Sequence, residues 1–149
     1  MLFRSVVPAI GNFKMRPRRE LLVTVDDVLA GLKRPETKIV DARSDAEYTG
    51  ALVRAARGGA IPGAVHLEWT RNLDANGFFK SADELRTMYL DRGITPENEV
   101  IPHCHGGYRS AHTYLALRLI GYSNVRNYLG SWGEWGNRTD LPIEHPTEP

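Results

Sequence analysis

The segment EVIPHCHGGYRSAHTYLALRLIGY, residues 99–122, contains the chain's one cysteine, Cys104. A short apolar run leads into it, Gly106, Gly107 and Arg109 follow, and an apolar pattern with helical spacing comes next. A lone cysteine can be a small buried hydrophobe, a metal ligand or a nucleophile, and burial is the commonest fate of a free thiol. The setting argues for the nucleophile. Glycines let a backbone curl so that successive N–H groups point inward. A helix that starts immediately after such a loop adds unpaired N–H groups and the positive end of its dipole. Together they form an anion site, and a sulfur at its centre is held as thiolate below the usual pKa of about 8.5. Cys104 is therefore the candidate nucleophile, and His105, Gly106, Gly107, Tyr108 and Arg109 form its cradle.

Rival chemistries fit less well. His103 and His105 flank the cysteine, but neighbours on an extended chain point to opposite faces, so the three do not converge on one metal ion. The H-x-E and P-C-x-x-C pattern of zinc deaminases is absent. A Cys–His hydrolase needs a histidine oriented by Asn or Asp, and neither His66 nor His112 carries such a signature. The string HCHGGYRS is also similar to the H-C-x5-R loop of cysteine phosphatases, yet four residues separate Cys104 from Arg109 instead of five. Arg109 itself has two readings. It could bind a sulfonate-like anion through its fork of donors. The favoured reading is a clamp that pairs with Asp41, or with Glu47 as well, and holds the loop closed.

The elements that position these residues are legible around them. Thr24 and Asp27 form a capping box before VDDVLAG, Ser44 and Glu47 repeat it before DAEY, and Ser81 and Glu84 repeat it before ADELRTMYL. TKIVDAR reads as a strand ending at Asp41, AVHLEW and EVIPHC read as two more, and NVRNYLG as the last. SAHTYLALRLIG reads as a helix with Ala111, Leu115 and Leu119 on one stripe. Strands separated by helices predict an α/β fold, a central parallel sheet with helices on both faces. Ligands in such sheets bind beyond the carboxyl ends of the strands, where Asp41, Arg43 and Cys104 all lie. Trp69, Trp132 and Trp135 read as packing residues, and Tyr108 as a ring facing a substrate.

The bulk properties narrow the partners. The chain has 149 residues with 42% hydrophobic content and a net charge of +1 from 19 basic and 18 acidic residues. That fits one domain with its own core and does not favour nucleic acid. One cysteine excludes an internal disulfide and suits a reducing compartment, so a cytoplasmic location is expected. No apolar run approaches the roughly 20 residues that span a bilayer, so no membrane is expected. Residues 1–20 are basic until Glu20 and carry Pro8 in a short apolar stretch, which reads as an arm or linker before a domain over 21–149.

The motifs VDARSDAEYTG, IPGAVHLEW, CHGGYRSA and VRNYLGSWGEW, in that order over roughly residues 21–143, resemble the rhodanese (sulfurtransferase) family. SWGEW is most similar to the catalytic half of tandem thiosulfate or 3-mercaptopyruvate sulfurtransferases. The resemblance implies a rhodanese-like fold and a Cys104 persulfide that takes its sulfur from thiosulfate or a related donor and passes it to cyanide or a thiol. It implies no cofactor and no metal. The loop His105–Arg109 would hold the persulfide, with Asp41, Arg43, Glu47 and Arg57 in support. It also implies that a second rhodanese domain could lie upstream in a longer chain. The sequence departs from the tandem pattern in several places. The loop reads His-Gly-Gly-Tyr, Glu47 stands where many tandem enzymes have a donor-binding arginine, and Ala60 stands where histidine is common. Arg43, Arg54 and Arg57 are then the expected substitutes for that arginine. The alternatives are a non-catalytic rhodanese-like binding module and a cysteine phosphatase or arsenate reductase.

Overall fold

A computed structural model describes residues 11, 12 and 14–148. Most of the arm expected over residues 1–20 lies outside the described residues. From Leu22 onward the chain alternates short strands and helices: β1 (Leu22–Val23), α1 (Val25–Gly31), β2 (Thr37–Asp41), α2 (Asp45–Tyr48) and β3 (Val65–His66). Then follow α3 (Ala82–Leu90), β4 (Glu99–His103), α4 (Tyr108–Leu119), β5 (Asn127–Tyr128) and α5 (Ser131–Trp135).

Among the described residues all pairs of strands are parallel. β2 lies between β3 and β4, with Val40 opposite Val65 and Pro102. β1 pairs with β5, and a parallel bridge from Val100 to Val125 sets the approach to β5 beside β4. Side chains alternate across a strand, and the core divides accordingly. Ile39 and Ile101 face Val25 and Val28 of α1 and Trp132 and Trp135 of α5. Val40 and Val100 face Leu85 and Tyr89 of α3 and Leu117 of α4. The sheet is thus covered on both faces, as the alternation of elements required. All three capping boxes form as expected, at Thr24/Asp27, Ser44/Glu47 and Ser81/Glu84.

Two expectations need correction. The strand expected from AVHLEW is only Val65–His66, and Trp69–Asn72 turns into a 3-10 helix after it. In α4 the buried residues are Ser110, Thr113, Ala116 and Leu117, whereas Ala111, Leu115 and Leu119 are exposed. The helix approaches the sheet with small residues because Ser110 must sit under the cysteine loop. The larger leucines are rotated outward as a result.

Candidate active site

The carboxyl ends of β2, β3 and β4 meet in register, with Asp41 opposite both His66 and His103. Cys104 follows His103 directly and is buried, at 1% exposure. Its backbone then turns through Gly106 and Gly107 into α4. Gly107 has φ +87, and a Cβ there would stand 2.9 Å from the Leu129 side chain, so both the turn and the packing require glycine. The Gly107 N–H donates to Cys104 Sγ at 3.1 Å.

Burial pushes the Cys104 thiol up, but the amides of Ser110, Gly106 and Gly107 outweigh it. The net direction is down, toward thiolate. The cradle expected over His105–Arg109 therefore extends to Ser110, which sequence reasoning missed. Its signal was a hydroxyl one turn into the helix that opens on Gly107. The single Ser110 proton goes to the Gly107 carbonyl at 2.9 Å, which stiffens the same turn.

Arg109 clamps the loop, but its partner is Glu47. Nη1 donates to Glu47 Oε2 at 2.6 Å and Nη2 to Oε1 at 2.9 Å, a two-bond fork. Glu47 also receives the Ser44 N–H and hydroxyl, at 3.2 and 3.1 Å. Although burial alone would raise it, these donors hold its pKa at about 2. Asp41 does not reach Arg109. Its carboxylate is taken by Arg43, whose Nη2 lies 2.6 Å from Oδ2 and whose backbone N–H lies 3.0 Å from Oδ1. Burial raises the Asp41 pKa, and His103 and Arg43 more than reverse that.

Two arginines expected to meet a donor anion are withdrawn from the site. Arg43 is buried, donates to the Gly59 carbonyl at 2.8 Å and lies 4.4 Å from the centre of the Trp132 ring. Arg57 donates to the carbonyls of Leu141, Trp135 and Arg138, and so ties the loop before Ile61 to the C-terminal segment. Arg54 differs: it is half exposed and its Nη1 lies 3.4 Å from Glu47. Tyr108 stands 88% exposed at the first position of α4. Trp132 and Trp135 are buried as packing residues, and Trp69 is partly buried with its ring edge-on to His112.

The histidines separate as their alternation required. His103 is buried, with Nδ1 3.3 Å from the Cys104 carbonyl and Nε2 3.5 Å from Asp41 Oδ2. Burial lowers its pKa against the pull of Asp41, and in the neutral form a ring proton on Nδ1 serves the Cys104 carbonyl. His105 is half-buried, and its pKa is likewise lowered, first by burial and then by the field of Arg54. Among the described residues no group of three or more His, Cys, Asp or Glu side chains could hold a metal ion. Among the described residues no helix is long and apolar enough to cross a membrane.

Comparison with known proteins agrees with this architecture. Residues 24–138 match the rhodanese-like domain family. The chain is 41% identical over 137 residues to a protein of Azotobacter vinelandii named thiosulfate sulfurtransferase, covering 92% of this chain and 51% of that one. It is 41% identical over 130 residues to a Thermus thermophilus protein named sulfur carrier protein TtuD, covering 79% and 46%. The chain thus spans about half the length of the curated relatives it matches. Among solved structures, the anaerobic ergothioneine biosynthesis enzyme of Chlorobium limicola, bound to trimethyl histidine, superposes with a TM-score of 0.82 at 26% identity. That match covers 87% of this chain and 33% of the other. With a parallel sheet, a glycine-turned cysteine loop at its carboxyl edge and a family match over most of its length, the chain belongs to the rhodanese-like domain family.

Proposed function

We propose that this protein is a sulfurtransferase whose Cys104 carries a sulfane sulfur between a donor and a nucleophilic acceptor. The observation that carries the reading is the set of inward donors on a buried sulfur: the amides of Gly106, Gly107 and Ser110 favour the thiolate over the thiol. In the proposed reaction, the thiolate attacks the outer sulfur of thiosulfate. The sulfur–sulfur bond of the donor breaks, and sulfite leaves with the bonding pair. A persulfide anion remains on Cys104, and the same amides spread its charge. An acceptor, cyanide or a thiolate, then attacks the terminal sulfur. Thiocyanate or a new persulfide leaves, and the Cys104 thiolate returns. No proton transfer or metal is needed in either half-reaction.

The name of the Azotobacter vinelandii relative supports thiosulfate as the donor class, and 3-mercaptopyruvate is the alternative that the loop sequence leaves open. A thiol that must cycle through a persulfide works best in a reducing compartment, and the cytoplasm is the proposed location. Because the curated relatives carry about as much chain again, an upstream second rhodanese domain is the proposed partner. The test is thiocyanate production from thiosulfate and cyanide, with Cys104→Ser beside the wild type. The wild type should turn over and gain one sulfur atom in intact mass after thiosulfate alone, and Cys104→Ser should do neither. Equal rates for the two proteins would instead support a non-catalytic binding module.

A further inference from the structure

The amides around Cys104 must be aimed inward, and inside the loop Ser110 and Ala111 hold only the Gly107 carbonyl, which acts on the peptide after Gly107 and not on those before it. Gly106 has no side chain to anchor its peptides, and a Cβ placed on it would meet nothing within 4 Å. A peptide unit that flips exchanges its N–H for its carbonyl, and a carbonyl aimed at the sulfur would repel a thiolate.

Three consecutive residues after β5 act on this problem from behind. The Ser131 hydroxyl accepts the Cys104 N–H at 3.1 Å and donates to the Tyr128 carbonyl at 2.8 Å. The Trp132 N–H donates to the Cys104 carbonyl at 2.9 Å, and the Gly133 N–H to the His105 carbonyl at 2.8 Å. All peptide bonds of the described chain are trans. In a trans peptide the carbonyl and the following N–H point in opposite directions. Holding the carbonyls of Cys104 and His105 outward therefore drives the N–H groups of His105 and Gly106 toward the concave side.

We propose that Ser131–Gly133 is the positioning element of the sulfur cradle, gripping two outward carbonyls so that the paired amides face Cys104. This rests on the reading of Cys104 as a working thiolate. Two features of the segment have no other evident purpose. Ser131 is the one non-glycine residue among the described residues with positive φ, at +51, a conformation serine disfavours. That bend lets the hydroxyl and the next two amides face the loop together. At Gly133 a Cβ would stand 2.8 Å from the His105 carbonyl oxygen, so only glycine brings its N–H within reach.

The test is the titration of Cys104, followed by thiolate ultraviolet absorbance, in Gly133→Ala and Ser131→Ala. Leu85→Ala, a core cavity on α3 remote from the loop, serves as a control for general destabilisation. Each cradle variant should raise the thiol pKa by about one unit and slow alkylation at neutral pH by about tenfold, while Leu85→Ala leaves the thiol where it was. The proposal is overturned if the folded variants titrate within about 0.2 units of wild type, or if Leu85→Ala moves the thiol equally. Should Gly133→Ala not fold, Ser131→Ala decides alone. The readout needs no sulfur transfer, so shifted thiols in a protein that makes no persulfide would sink the proposed reaction and leave the positioning element standing.

Discussion

Two arginine–carboxylate pairs lie within one sheet edge, and they have different tasks. Asp41 and Arg43 are two residues apart, and their side chains are 0% and 2% exposed. Glu47 and Arg109 are 62 residues apart, and the Arg109 side chain remains 24% exposed. The inner pair is closed off by the Gly59 carbonyl and the Trp132 ring. The outer pair ties α2 to the start of α4, with one flank of the guanidinium beside the Cys104 sulfur. Burial sets the role: the inner cation can only support the frame, whereas the outer one can both close the loop and favour the thiolate.

The comparison is tested most severely by leaving one inner charge without its partner. Asp41→Asn keeps the shape but strands the Arg43 guanidinium in a dry site, which should cost about 3–5 kcal/mol in urea denaturation. A loss below about 1 kcal/mol would show that the inner pair is no different from a surface contact.

The outer pair has an acid signature. The Glu47 pKa is depressed from 4.5 to about 2, so its contribution is complete above pH 4.5 and disappears as the pH falls toward 2. The amount at stake is up to roughly 3 kcal/mol. Stability measured from pH 6 to pH 2 should show a shallower acid decline in Glu47→Gln than in wild type. Asp41 is depressed as well and keeps a residual slope in the variant. An unchanged slope would mean that Glu47 is paired in the unfolded chain too.

Partner choice is the next target. Arg109→Gln and Glu47→Gln should couple by about 1–2 kcal/mol in a double-mutant cycle, while Arg109→Gln and Asp41→Asn should be nearly additive. Coupling of Arg109 to Asp41 of the same size would erase the distinction between the pairs.

That distinction was only half legible in the sequence. The Ser44–Glu47 capping box is local, three residues apart, and the hydroxyl–carboxylate pattern revealed it. The contact from Glu47 to Arg109 depends on how α2 and α4 meet over the sheet, and Asp41 looked the nearer acid because it ends a strand. Arg43, only two residues on, had already claimed Asp41. The cysteine loop was readable because glycines, cysteine and helix start are contiguous. Ser131 and Gly133 were not, since their grip joins segments 27 residues or more apart, by one hydroxyl and by backbone atoms that no side-chain pattern records. In α4 the hydrophobic stripe misled, because the buried side is set by Ser110 and Thr113, two small polar residues that fit under the loop.

The smallest effect on stability concerns Arg54, and it asks which cation meets the donor. Arg43 and Arg57 spend their donors on buried partners, and Arg109 spends its fork on Glu47. Arg54 makes one long contact, 3.4 Å to a Glu47 oxygen that Arg109 already holds at 2.9 Å. Its half-exposed side chain keeps most of its donors toward solvent, and its field reaches His105 beside the cysteine. Arg54→Ala should change stability by less than about 0.5 kcal/mol, as exposed ion pairs do. It should still raise the KM for thiosulfate several-fold at low salt, with the difference shrinking as salt screens the anion. The rate of sulfur transfer at saturating thiosulfate should be unaffected, because in the proposed reaction the cradle amides and not Arg54 touch the reacting sulfur. An unchanged KM would place recognition of the donor anion on the loop amides alone.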